Sequence, residues 1–264
     1  MKGPLLVLLL WCVTAPAQVW NEVTITPLIA DSFEGIDTYN NVYYIQDMVL
    51  YKTGVQGRYE FRDYQLGPIS SVDIINPLNI VVFYEQVNTV ILLDNRLNEI
   101  ERINFNSLPE FINISAAKNA GNNRLWIFNV DSQQLELYNY RNGSRTAISQ
   151  PIPGNFKGLV SDFNYSYVLT SNGLQSYNVY GSFLNEIALD GCRNISLFND
   201  RIFAVTESEN LLIKKGFSEA EVQMEGVNLP LPENSIKDLQ LTQDFLYIYD
   251  GNNIRGFSLT NPKK

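Results

Sequence analysis

Hydrophobic residues in this chain fall in short runs that are separated by turn residues. Between residues 71 and 105 four such runs follow one another, at 72–75, 80–84, 90–93 and 100–105. Runs this short, rich in Ile, Val and Tyr and bounded by Asn and Pro, are typical of strands rather than helices. Four consecutive strands of this kind predict one antiparallel, four-stranded propeller blade.

The same unit recurs along the chain. The most apolar runs, which we interpret as the second strands of successive blades, begin near Val42, Ile80, Leu125, Tyr167, Ile202 and Phe245. Their spacing of roughly forty residues is the period of a propeller blade. A less apolar third-strand run follows each of them. We therefore predict an all-β fold with six blades.

The last blade lacks a fourth strand in sequence order. Its first three strands are predicted at 236–241, from Phe245 and at 254–259, and the chain then ends at Lys264. The N-terminal segment 21–26 (NEVTIT) precedes the first complete blade. We expect it to pair with 254–259 and to close the ring, which removes an exposed sheet edge. The alternative, a pair of β-sandwiches, does not account for the regular spacing.

Residues 1–17 (MKGPLLVLLLWCVTAPA) have the pattern of a secretory signal peptide. Lys2 precedes an apolar stretch, and the small residues Ala15 and Ala17 flank Pro16. Cleavage after Ala17 would leave a single domain, 18–264, with Cys192 as its only cysteine. An exported chain without an intrachain disulfide is typical of a bacterial periplasm, and we expect the protein there.

The charge of the predicted mature chain narrows the choice of partner. Removal of Lys2 from the 19 basic residues leaves 18 against 28 acidic residues, a net charge of −10. Such a surface, without a Lys/Arg cluster, argues against nucleic acid and anionic lipid. No later stretch has the roughly twenty apolar residues of a membrane span, so direct membrane insertion is not expected either. We expect a protein partner.

The chain contains no histidine. This removes His-dependent triads and the commonest general base and metal ligand. A lone cysteine without histidine is a poor nucleophile, and we find no glycine-rich phosphate loop. From these absences we predict that the protein is not an enzyme and holds no cofactor.

One repeated feature is a candidate metal site. Each predicted first strand carries an Asp or Asn near its start: Asp37, Asp73, Asn113, Asp162, Asn194 and Asp238. First strands line the central channel of a propeller, so these side chains would form a ring of oxygen ligands suited to calcium. In the alternative, each side chain bonds its own blade's backbone and fixes a turn.

The loops that join blades combine proline with apolar residues. These loops share one face with the turns between second and third strands, and stiff apolar loops on one face suit contact with a protein. The alternative is that they pack adjacent blades together. The candidate partner-binding residues are Leu108, Pro109, Phe111, Pro151, Pro153, Phe156, Leu229, Pro230 and Leu231.

The stretch GIDTYNNVYYIQ (35–46) resembles secreted six-bladed propellers of the NHL and strictosidine-synthase-like type. Lactonases of related fold hold calcium in the channel, which implies a calcium-dependent hydrolase, or a carbohydrate-binding propeller, as one possibility. In length, acidity and export signal the chain is also similar to the plug component of the type IX secretion translocon. We predict a non-catalytic periplasmic interaction module, a subunit of an outer-membrane translocation or secretion complex.

Overall fold

A computed structural model of the chain describes residues 19–199, 201–207, 210–215, 222–231 and 235–260. The predicted signal peptide at 1–17 lies outside these residues, as does 232–234 of one blade-joining loop. Within the described part of the chain, no helix has the length and hydropathy of a membrane span.

The described residues form 24 strands in six four-stranded sheets. The N-terminal strand is β1 (Val19–Pro27). Blade 1 contains β2 (Ser32–Ile36), β3 (Val42–Gln46), β4 (Val49–Gly54) and β5 (Gly57–Phe61). Blade 2 contains β6 (Ser71–Asp73), β7 (Ile80–Tyr84), β8 (Thr89–Leu93) and β9 (Glu99–Asn104). Blade 3 contains β10 (Ile114–Asn119), β11 (Arg124–Asn129), β12 (Gln134–Asn139) and β13 (Arg145–Ala147).

The second half of the chain repeats this plan. Blade 4 contains β14 (Phe156–Ser161), β15 (Tyr165–Thr170), β16 (Gly173–Asn178) and β17 (Phe183–Ile187). Blade 5 contains β18 (Asn194–Phe198), β19 (Arg201–Val205), β20 (Asn210–Lys215) and β21 (Val222–Val227). Blade 6 contains β22 (Asp238–Leu241), β23 (Phe245–Tyr249) and β24 (Asn253–Thr260), with β1 as its outer strand. Two 3₁₀ turns, Glu85–Val87 and Phe105–Ser107, lie in blade 2 and after it.

The predicted ring closure is confirmed. Strand β1 pairs antiparallel with β24, with Asn21 opposite Ser258 and Thr26 opposite Ile254. The first strands of neighbouring blades contact one another around the whole ring, including β22 of blade 6 against β2 of blade 1. The chain is thus a six-bladed β-propeller whose first and last strands share one sheet.

The core is divided among the junctions between blades. Strands β7 and β8 are buried at every position, because a neighbouring blade covers each face of their sheet. Six apolar clusters occupy the six junctions, and the last of them joins Phe33 of blade 1 to Tyr249 and Ile254 of blade 6.

The ring has two faces, which carry different sets of loops. The connection face carries the loops that join blades and the turns between second and third strands; backbone bonds hold these together, as where Asp31 N donates to Ile45 O (2.8 Å). The turn face, on the opposite side, carries the turns between first and second and between third and fourth strands. Each first strand begins at the connection face and ends at the turn face.

Candidate functional site

The structure divides the nine predicted partner-binding residues into exposed and packed groups. Pro109, Phe111, Pro151, Pro153 and Pro230 are exposed, Leu108, Phe156 and Leu231 are half-buried, and Leu229 is buried. All nine lie in or beside the blade-joining loops, on the connection face. A binding role for the exposed members remains a prediction.

Four of the nine residues pack against the blades. Leu229 packs in the cluster between blades 5 and 6, and the ring of Phe156 stacks on that of Phe128 of blade 3 with centroids 4.4 Å apart. The half-buried Leu108 and Leu231 also pack on the blade clusters. These contacts are the ones that the blade-packing alternative expects. They bury Leu229 and cover Leu108, Phe156 and Leu231 in part.

Phe111 is the most prominent apolar side chain among the exposed candidates. It is 59% exposed, whereas its neighbour Ile112 is buried between blades 2 and 3. The carbonyl of Ile112 accepts a 2.6 Å hydrogen bond from Asn88 Nδ2, and the adjacent Glu110 pairs with Arg145 at 2.7 Å. The loop therefore presents an aromatic ring to solvent from an anchored backbone.

The six predicted metal ligands do not lie at one level of the channel. Asp37 and Asp162 follow the ends of their first strands, and Asp73 is the last residue of β6. Asn194 and Asp238 begin theirs, and Asn113 precedes β10. Because strands advance about 3.3 Å per residue, the two groups lie toward opposite ends of the channel. The expectation that all six lie near the strand starts is wrong for the first group.

Several of these side chains accept hydrogen bonds from the backbone of their own blade, as in the alternative in which they fix a turn. Asp162 Oδ1 accepts from the backbone N–H groups of Asn164 and Tyr165, both at 2.7 Å. Asp37 Oδ1 accepts from the backbone of Tyr39 and Asn41 in the same kind of turn. Asp238 instead joins two blades, since its Oδ2 accepts from Phe33 N at 2.9 Å.

Calcium in the channel remains a prediction. Among the described residues, no three side chains of the Asp, Glu, Cys or His type are grouped as a metal site requires. Elemental analysis of the purified protein, with stoichiometric calcium as the supporting result, would test it.

The channel is a cavity of about 830 Å³. Its lining includes residues of the turns between first and second strands, among them Thr38, Pro77, Phe163 and Gln243, so it opens on the turn face. A volume of this size is in the range of small-molecule pockets, about 300–1,000 Å³.

Charged groups that the sequence pattern missed lie inside this channel. Glu34 accepts a 2.6 Å hydrogen bond from Ser32 Oγ, and Lys118 Nζ lies 3.4 Å from the carbonyl of Val72. Glu34 is the extra residue of a β-bulge between Phe33 and Gly35. A bulge re-aims a side chain, so strand alternation alone could not place Glu34 in the channel.

Burial governs the electrostatics of the channel. Desolvation raises the pKa of Glu34, and nearby Asp238 adds to the effect, while the Ser32 hydrogen bond and the Lys118 ammonium oppose it. Desolvation also raises the pKa of Asp238, against the hydrogen bond from Phe33 N. These two acids are candidates for proton transfer or ligand binding, because perturbed groups in a cavity are common at functional sites.

No protein-family model matches the sequence, and no curated protein matches it either. The predicted NHL or strictosidine-synthase-like membership therefore has no support from sequence families. Known structures do share the fold. A chain in the crystal structure of a mitotic checkpoint complex superposes with a TM-score of 0.59 at 10% identity, covering 97% of this chain and 99% of that one.

Virginiamycin B lyase from Staphylococcus aureus superposes with a TM-score of 0.63 at 10% identity, covering 90% of this chain and 99% of the lyase. Identity this low shows the fold alone. Because this six-bladed fold occurs in an enzyme, however, the prediction that the protein is not an enzyme is contradicted. The absence of histidine excludes histidine-dependent catalysis. Glu34, Lys118 and Asp238 are the candidate catalytic groups in the channel.

A third similar structure is PorZ, a component of the type IX secretion system of Porphyromonas gingivalis. It matches at 15% identity with a TM-score of 0.49, over 93% of this chain and 40% of PorZ. A superposition at this level carries no argument about function. The checkpoint-complex chain and the lyase therefore share the fold of this chain, and only the fold.

Proposed function

We propose that this chain is a protein-binding propeller that is exported to the periplasm and docks on a partner through its connection face. The partner assembly in this proposal is an outer-membrane translocation or secretion complex, in which the propeller acts as a plug-like subunit. The secretion role rests on the length, the acidity and the N-terminal export pattern of the chain.

The exposed Phe111 ring is the observation that carries the docking proposal. A large aromatic side chain that is 59% exposed on an anchored loop loses little conformational freedom when a partner covers it. Aromatic side chains, Phe among them, are enriched in the cores of protein-protein interfaces. Two further apolar side chains on the connection face, Ile29 and Tyr64, are 78% and 59% exposed.

The charge of the molecule favours a protein over a lipid surface as the docking site. The whole chain carries a net charge of −9, and an acidic body is repelled by anionic headgroups. Exposed aromatic side chains such as Phe111 and Tyr64 are of the type enriched at protein-protein interfaces.

Replacing Phe111 by Asp tests the proposal. The variant and the wild type would be purified from the producing organism, and the proteins bound to each would be quantified by mass spectrometry. We expect Phe111→Asp to lower recovery of the specific partner by about tenfold or more, the effect of losing a central aromatic contact.

Tyr180→Asp is the matched control, since Tyr180 is 90% exposed but lies in a turn of the opposite face. Circular dichroism would confirm that both variants fold. Equal recovery of every bound protein by wild type and Phe111→Asp would refute docking through this loop. Recovery of the whole protein in the cytoplasmic fraction would refute the periplasmic location.

A further inference from the structure

A groove of about 430 Å³ crosses the turn face between blades 1 and 2. Its walls include Tyr39 and Val55 of blade 1 and Leu78 of blade 2, which are 71%, 100% and 63% exposed. Three large apolar side chains that face one groove form a surface to which an apolar group can bind. None of them belongs to the connection face.

The base of this groove is polar but has no unbalanced charge. The buried Lys52 ammonium donates to the carbonyl of Asn95 at 2.9 Å and lies 3.8 Å from Asp37 Oδ2. Because Asp37 compensates the charge of Lys52, the exposed apolar side chains of the groove favour an apolar group.

The groove lies beside the channel, since Pro77 lines both cavities. The channel has the opposite chemistry. Its described lining contains six carboxylates and one ammonium, that of Lys118. Asp37 is already paired with Lys52, which leaves five carboxylates beside Lys118: Glu34, Asp73, Asp162, Asp238 and Asp244. A concave site lined by one sign of charge focuses the field and attracts a cation. The buried Ser161 Oγ, also in the lining, has no hydrogen-bond partner among the described residues.

We propose that the groove and the channel mouth together bind an extended peptide segment that carries a large apolar side chain and, a few residues away, a Lys or Arg. The apolar side chain lies between Val55 and Leu78, and the basic side chain enters the channel toward Asp162 and Asp244. Charge complementarity and the adjacency of the two cavities favour a peptide, because one segment can reach both. A free amine would use only the channel, and an apolar small molecule only the groove.

This site is independent of the docking proposed above, because it lies on the other face of the ring. The probe is a phage-displayed library of random dodecapeptides selected on the purified protein. We expect the enriched sequences to place Lys or Arg within a few residues of Leu, Ile or Phe. The most enriched sequence would then be synthesised with a fluorescent label and its binding measured by fluorescence polarisation.

Substitutions in the groove and in the channel should affect peptide binding differently. Leu78→Asp should weaken binding of the labelled peptide by about tenfold or more, because the apolar side chain of the peptide would cover an unpaired carboxylate. The double substitution Asp162→Asn and Asp244→Asn should lower the affinity for the peptide several-fold. It should also reduce the salt dependence of binding, because screening acts on charge pairs. The Asn side chain at 162 retains the oxygen that accepts the turn hydrogen bonds. Phe111→Asp should bind the peptide like the wild type.

No enrichment over an unselected library would overturn the proposal, as would enriched peptides without a basic residue or equal affinity of wild type and Leu78→Asp. If a peptide with Ser in place of its apolar residue binds as tightly, the channel alone binds cations and the groove has no role. Loss of binding in Phe111→Asp would place the peptide on the connection face instead. Leu78→Ser, a milder change, replaces Leu78→Asp if the latter does not fold.

Discussion

Asp37 shows, at the scale of a single residue, how a side chain chosen as a ligand can serve the fold. It follows β2 and is buried. One oxygen accepts from two backbone N–H groups, and the other accepts from Asn41 Nδ2 and from the Tyr43 hydroxyl, at 2.9 and 3.0 Å. Lys52 lies 3.8 Å away. Burial, with Asp37 as a second cause, raises the pKa of Tyr43, so that hydroxyl remains a donor.

We predict that Asp37→Ala lowers the free energy of unfolding by about 3–5 kcal/mol, the range for removing one partner of a buried ion pair. The Lys52 ammonium would lose its counter-charge, and the Tyr43 hydroxyl would lose its acceptor. Urea denaturation followed by tryptophan fluorescence measures the change.

Asp162→Ala is the control, because Asp162 makes the same kind of turn but is less buried. It would lose two backbone hydrogen bonds to Asn164 and Tyr165, each worth about 0.5–1.5 kcal/mol. Equal effects of the two substitutions would show that the turn, and not the buried charge, dominates at Asp37.

At the scale of the element, β1 joins the two ends of the chain in one sheet. Trp20 on this strand is 4% exposed, and its ring meets that of Phe203 of blade 5 edge-on, with centroids 6.1 Å apart. Ile25, on the same strand, is 53% exposed. The strand therefore contributes both backbone pairing to β24 and a large side chain to the core.

We predict that Trp20→Ala lowers stability by about 3–5 kcal/mol, as a large-to-small core substitution does. Ile25→Ala should change it by less than about 1 kcal/mol, because an exposed side chain buries little area.

Deletion of residues 18–26 should destabilise the protein and also cause aggregation, since the β24 edge becomes free. A deletion variant that melts cooperatively at the wild-type temperature would contradict a closing role for β1.

The strands differ in how far the sequence predicted them. Second and third strands were predicted well because a run such as IVVFY, buried at all five positions, leaves one interpretation. First strands were placed less well: that of blade 6 was predicted at 236–241 and is Asp238–Leu241. Bulges in β2, β10 and β14 interrupt their alternation, and an extra residue reverses which side chains face the channel.

At the scale of the whole molecule, the candidate sites are built from residues that are far apart in sequence. Glu34, Lys118 and Asp238 come from blades 1, 3 and 6, and they meet only because the ring closes. The groove likewise needs Val55 of one blade and Leu78 of the next. Such sites depend on the radius and register of the ring, which hydrophobic periodicity does not report.

The convergence of carboxylates on the channel predicts a pH dependence of stability. The pKa of Glu34 is raised above its ordinary value of 4.5, chiefly by desolvation. From pH 4.5 up to the raised pKa, the folded state binds more protons than the unfolded state, so Glu34 makes the protein less stable as pH rises. Glu34→Gln removes this titration. Its stability relative to the wild type should therefore increase as pH rises above about 4.5, measured by urea denaturation at a series of pH values.

For Asp94→Asn, the stability relative to the wild type should change with pH in the opposite direction. Desolvation alone would raise the pKa of Asp94, but hydrogen bonds from Asn98 and Arg96 outweigh it and hold the pKa below 3.8. The stability that Asp94 contributes is present above pH 3.8 and is lost as pH falls through the lowered pKa, so the stability of the variant relative to the wild type should increase at low pH.

Parallel curves for wild type and Glu34→Gln would mean that the Glu34 carboxyl titrates alike in the folded and unfolded states. That result would contradict its burial in the channel.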